Sequence, residues 1–178
     1  MSNNNLFRLA GWCAALSIVL TLASFLMYTF SPASPVNTIL ATIALLAVTV
    51  VYYALSVFHK KDSAALSMAG LVLWIAAAAA NFASLMDFSN NVLYAVASLL
   101  FALPLLIFGY LAYRGARMPR GLAVAALISG VLWAIVGFIS FGGNWSTGMV
   151  ITLLATLTWV VWLGWLWRVF LSEKKVPA

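Results

Sequence analysis

Charge is what this sequence has least of: Asp, Glu, Lys and Arg together make up 7% of its 178 residues. An ordinary globular chain carries about a quarter charged residues and is about half apolar. Here 66% of the residues are hydrophobic, and a water-soluble fold of this size lacks the polar side chains to cover its surface. Lipid must be the solvent for most of these side chains. Acid–base groups are almost as scarce. Only His59, Asp62, Asp87 and Glu173 could work near neutral pH, and Asp87 belongs at the opposite membrane surface from the other three. A carboxylate pair that used Asp87 would have to bridge the bilayer, and the chain reads as not an enzyme. One histidine cannot supply two axial ligands to a haem, nor can one histidine and one cysteine complete a zinc site. The single cysteine, Cys13, rules out an intrachain disulfide. No cofactor and no metal is called for.

What the sequence does have is six long apolar runs. Spanning a hydrocarbon core of about 30 Å takes about 20 helical residues, and the runs fall at 6–30, 36–58, 64–86, 91–113, 121–141 and 147–171. Backbone groups in lipid must be paired within the segment, which favours helices. The alternation of a β-barrel strand is missing. The breaks are short: a proline turn at 30–35, a charged turn at 59–63, a polar turn at 87–91 in which an asparagine can cap the next helix, a basic segment at 114–120 and a glycine turn at 142–146. None leaves room for a soluble domain. The expected fold is an all-α integral membrane protein with six transmembrane helices in a single domain spanning 1–178.

The nine basic residues account for the net charge of +6. They are Arg8, Lys60, Lys61, Arg114, Arg117, Arg120, Arg168, Lys174 and Lys175, and they lie between or at the ends of the apolar runs. All nine fall in alternate segments, the first, third, fifth and seventh. By the positive-inside rule these segments face the cytoplasm, which places both termini inside and the protein in the cell membrane. Nucleic-acid binding is set aside, because the bases read as topology determinants. The N-terminal run is too long for a signal-peptide core and is followed by prolines, so it is read as a retained helix.

A repeat of helical hairpins is also visible. Gly11–Trp12, Gly70 to Trp74 and Gly130 to Trp133 recur in the odd-numbered runs, with glycines 59 and 60 residues apart. This pattern predicts three stacked hairpins. Small residues four apart, as in Ala126–Gly130–Ala134 and Gly11–Ala15, predict close helix approach.

Four groups of residues are candidate sites, each with a plainer reading beside it. Asn81, Ser84 and Asp87 form a polar line at the outer end of the third run; they suit a shallow polar site or interhelical hydrogen bonds. Pro104, in the middle of the fourth run, frees the carbonyl of Leu100, as a hinge or as simple architecture. Trp159 and Trp162 share a face of the sixth run, where they could stack on a quinone, a carotenoid or a lipid tail, or pack against a neighbour. Trp165 and Trp167 beside Arg168 suit an interfacial aromatic belt. Arg114, Arg117 and Arg120 could clasp anionic headgroups, and are also what an inside loop should contain.

The sequences Arg8-Leu9-Ala10-Gly11-Trp12 and Met118-Pro119-Arg120-Gly121-Leu122 resemble small bacterial multi-spanning membrane proteins known only as a domain of unknown function. The resemblance implies a bacterial inner-membrane protein and carries over no site residues. Tryptophan is as abundant as in the tryptophan-rich sensory proteins, but those have five helices. The reading that follows is a non-catalytic accessory subunit or module that binds lipid, an apolar cofactor, or another membrane protein or second copy of itself. The competing reading is a small transporter or channel for a neutral or lipid-like solute, with Asn81 and the Pro104 kink facing its path.

Overall fold

In a computed structural model, the described residues are 3–31, 34–87, 90–115, 117–142 and 145–172, with side chains described for all of these but 3, 28, 29 and 145–148. The turn residues 32–33, 88–89 and 143–144, Ala116, and the tail with Glu173, Lys174 and Lys175 lie outside them.

Six helices run in order: α1 (Asn3–Phe30), α2 (Pro35–His59), α3 (Ala64–Met86), α4 (Asn91–Gly115), α5 (Arg120–Phe141) and α6 (Trp145–Leu171). All six are long and apolar enough to cross a membrane. The chain is a polytopic α-helical membrane protein. The helix ends follow local chemistry. Pro35 opens α2, where a missing N–H costs nothing. Ser63 caps α3 in an extended conformation, its hydroxyl accepting from the Leu66 N–H. Asn90 caps α4 by accepting from the Leu93 N–H at 3.0 Å. The Gly142 N–H closes α5 on the Ile139 carbonyl. α4 and α5 run past the apolar runs, so that Arg114 lies in the last turn of α4 and Arg120 at the start of α5, while Arg8 lies inside α1 and Arg168 in the last turn of α6.

Several hydroxyl groups within the spans bond to the turn before them, which satisfies them away from water. Thr42 donates to Thr38 O, Thr49 to Leu45 O, Ser98 to Tyr94 O, Ser140 to Val136 O and Thr156 to Thr152 O. These serines and threonines are therefore satisfied without water or ligand.

The helices divide into two compact units, Met1–Ala54 with Leu163–Ala178, and Leu55–Trp162. In the first, Ser17 donates to Cys13 O and reaches Ala44 O at 3.4 Å, and Ser24 bonds to Asn37, tying α1 to α2. Gly11 meets the last turn of α6, where a Cβ would stand 2.9 Å from Leu171 Cγ, and Phe7 stacks on Phe170 with ring centroids 5.6 Å apart. Trp165, Trp167 and Arg168 are exposed together near the end of α6, as an interfacial belt should be.

In the second unit, α4 packs on both α3 and α5. The α4–α5 seam pairs small residues in an antiparallel ladder. A Cβ on Gly137 would lie 3.0 Å from Ala95 O, one on Gly130 3.2 Å from Ala102 O, and one on Gly109 3.1 Å from Ala126 Cβ. On α4 these positions are seven residues apart, the period that keeps one face toward a partner. The close approach expected at Ala126 and Gly130 is thus present, and Gly137 extends it. Of the residues in the hairpin repeat, Gly11, Gly70 and Gly130 are all buried at tight helix contacts, whereas Trp12 is 60% exposed and Trp74 fully buried.

Candidate functional site: an aromatic column in the second unit

The face of α4 that carries Phe101 and Phe108 organises the interior of the second unit. Seven residues apart, the two rings sit on one side of the helix and about 10 Å apart along its axis. Both are buried, as are Pro104 and Leu105 between them. Around Phe101 stand three indoles from three helices. Trp74 of α3 lies edge-on with its centroid 5.5 Å away, Trp133 of α5 lies at 5.0 Å, and Trp159 of α6 lies edge-on at 5.6 Å. Such tilted contacts suit the ring quadrupole. Around Phe108 lie Gly70 of α3, where a Cβ would come within 2.7 Å of the ring, and His59 at the end of α2, with centroids 6.2 Å apart. Glycine at position 70 leaves the ring room that any side chain would take.

Polar atoms in this column lack partners. The Trp133 and Trp159 indole N–H groups, His59 Nε2 and Ser67 Oγ are all buried and without a hydrogen-bond partner among the described residues. A buried polar group left unpaired costs about 1–3 kcal/mol, and native proteins keep few of them. Four such atoms lie in this unit, three of them on rings in contact with Phe101 or Phe108.

At the end of the column the chain builds a small charged cluster. The helix end at His59 and the turn that follows bring Asp62 back onto the imidazole, with Asp62 Oδ2 2.8 Å from His59 Nδ1. Asp62 Oδ1 lies 3.5 Å from Arg117 Nε. Gly115 lies against the same carboxylate, and a Cβ there would be 3.0 Å from Oδ2. His59 is fully buried, and the Asp62 side chain is 15% exposed.

The residues singled out from sequence divide accordingly. Trp159 is in the column and Trp162, a turn on, is buried as well. Pro104 is buried between the two phenylalanines. Asn81 and Ser84, expected either to form a polar site or to bond across helices, bond within α3 instead: Asn81 Nδ2 donates to Ala77 O and Ser84 Oγ to Asn81 O. Their nearest acceptors are their own backbone carbonyls, three and four residues back. Arg114 Nη1 donates to Tyr110 Oη at 3.2 Å, Arg117 pairs with Asp62, and Arg120 is exposed at the start of α5. Two of the three arginines are therefore engaged within the chain. The sequence reading missed Phe101 as the ring on which Trp74, Trp133 and Trp159 converge, and His59 with Asp62 as a pair. The i, i+3 spacing of the only histidine and an aspartate at a helix end was the available signal for the pair. Nothing in the sequence announced the aromatic convergence. No family model, curated protein or solved structure matches the chain.

Proposed function

We propose that this protein is a non-catalytic membrane module that binds a lipid-soluble ring compound carrying carbonyl acceptors, seated against the aromatic cluster around Phe101. One observation carries this reading: the Trp133 and Trp159 N–H groups are buried on rings that both touch Phe101, and neither has an acceptor. Donors in an apolar cluster select a ligand with an apolar body and acceptor oxygens. A quinone fits this chemistry, whereas a hydrocarbon carotenoid or a bare acyl tail satisfies neither N–H. The chemistry proposed is binding alone. The transporter reading has no further residue behind it from α3, where one Asn81 N–H and the Ser84 hydroxyl donate within their own helix.

We place the protein in a cytoplasmic membrane with both termini inside, on the distribution of basic residues. Lys60 and Lys61 just beyond α2, Arg114 in the last turn of α4, Arg117 beyond it and Arg120 at the start of α5 are all exposed, which agrees with a cytosolic face.

The test combines extraction and titration. Native mass spectrometry after mild detergent extraction should show a bound carbonyl-bearing lipid. A short-tailed benzoquinone should quench tryptophan fluorescence saturably, and Trp133→Phe with Trp159→Phe should weaken binding by about tenfold. A bare chain together with quenching that never saturates would overturn the proposal. Accessibility tags in the 31–34 turn and after Lys175 test the orientation; a tag in the turn reachable from the cytosol refutes it.

A further inference from the structure

His59 sits at the other end of the column, and its chemistry is the reverse of the tryptophans'. Its Nδ1 is committed to Asp62 Oδ2 at 2.8 Å, while Nε2 is buried without a partner among the described residues. A carboxylate holding one ring nitrogen fixes the tautomer, because Asp62 can only accept and Nδ1 must then carry the hydrogen. Arg117 already balances the Asp62 charge at 3.5 Å, so the cluster is neutral when the imidazole is neutral. A second proton on the ring would leave a net positive charge next to Phe58 and Phe108. The remaining nitrogen, Nε2, is therefore a bare lone pair. No described residue donates to it.

We propose that His59 Nε2 is a binding site for the hydroxyl of a ring-borne membrane alcohol of the hydroquinone or phenol class, with Asp62 as the positioning residue that keeps Nε2 an acceptor. The aromatic surroundings specify the ring: Phe58 stands edge-on to the imidazole at 5.0 Å and Phe108 is tilted over it at 6.2 Å. Ser67, buried one turn before Gly70 on α3, presents an unpartnered hydroxyl on the side of α3 that meets Phe108. Phe108 packs directly on Gly70, filling the room that any side chain at position 70 would take. The Arg117 and Gly115 contacts hold the carboxylate from the far side. Nothing here depends on the tryptophan cluster, which lies about 10 Å further along α4 and asks for an acceptor where His59 asks for a donor.

The chain has one histidine, so selective ¹⁵N-histidine labelling of the intact protein in lipid nanodiscs yields one Nδ1 and one Nε2 resonance. The free protein should show a protonated Nδ1 and a bare Nε2. A hydroquinone with one short isoprenoid tail should shift Nε2 saturably under reducing conditions, while its dimethyl ether should not. His59→Phe should weaken hydroquinone binding by about tenfold and leave the dimethyl ether unaffected. Asp62→Asn should release the tautomer, so that Nε2 becomes partly protonated and the preference for hydroquinone over ether falls; a purely structural role would leave the tautomer ratio unchanged. The proposal is overturned if Nε2 is already protonated in the free protein, if hydroquinone leaves its resonance in place, or if the ether shifts it equally. Quinone quenching of the tryptophans would survive any of those results, which separates this failure from failure of the carbonyl-binding reading.

Discussion

Replacing Gly137 by alanine is the most direct probe of how α4 and α5 meet. A Cβ there would stand 2.6 Å from Leu99 Cγ, 2.8 Å from Leu99 Cδ2 and 3.0 Å from the Ala95 carbonyl oxygen. The leucine can turn aside, but the carbonyl belongs to the α4 backbone and cannot. Relief then requires the two helices to part by a few tenths of an ångström, and the same ladder holds Gly130 against Ala102 and Gly109 against Ala126. Overpacking of this kind costs about 1–3 kcal/mol. Alanine's better helix propensity offsets up to about 1 kcal/mol of it. Gly164→Ala supplies the control, since its Cβ would meet only Ile18 Cδ1 at 3.8 Å, an ordinary contact. That substitution should be neutral or slightly stabilising. The difference between the two variants isolates the steric part, about 1–3 kcal/mol. Unfolding by SDS in mixed micelles, followed by far-UV circular dichroism, measures it. If Gly137→Ala proves as stable as Gly164→Ala, the α4–α5 seam is not closed as the structure has it.

Three further outcomes follow from other contacts. Asp62→Leu strands the buried His59 Nδ1 and releases Arg117, and should cost about 2–4 kcal/mol in the same micellar unfolding, while Asp62→Asn, which keeps an oxygen acceptor, should cost less than half as much. Ser63→Ala removes the α3 cap and should lower stability by about 1 kcal/mol, visible as faster hydrogen exchange at the amide of Leu66. Trp133→Phe deletes an N–H without an acceptor and should leave the ligand-free protein as stable or slightly more so, whereas a loss above about 2 kcal/mol would mean that this N–H is bonded after all.

Hydropathy alone determined a great deal here. Six spans could be delimited to within a few residues, α3 at the same bounds, because a helix in lipid must satisfy every backbone group within itself and its length is fixed by the bilayer rather than by neighbours. Capping at Asn90 and close packing at Gly130 were legible for a similar reason: each depends on residue type at a local position. Side-chain partnerships were not. An apolar run looks the same on all sides, so the sequence could pick out Trp159 yet could not say that it joins Trp74 and Trp133 around Phe101. Asn81 stood out as the most polar group inside a span, and only the structure showed its amide turned back to Ala77. His59 and Asp62 read as solvated loop residues until tertiary packing buried the imidazole beneath Phe108 and set Arg117 and Gly115 against the carboxylate. Lipid exposure is written into composition, but which polar atom is left unpaired depends on helix rotation and approach, and these are set by interactions between segments far apart in the chain.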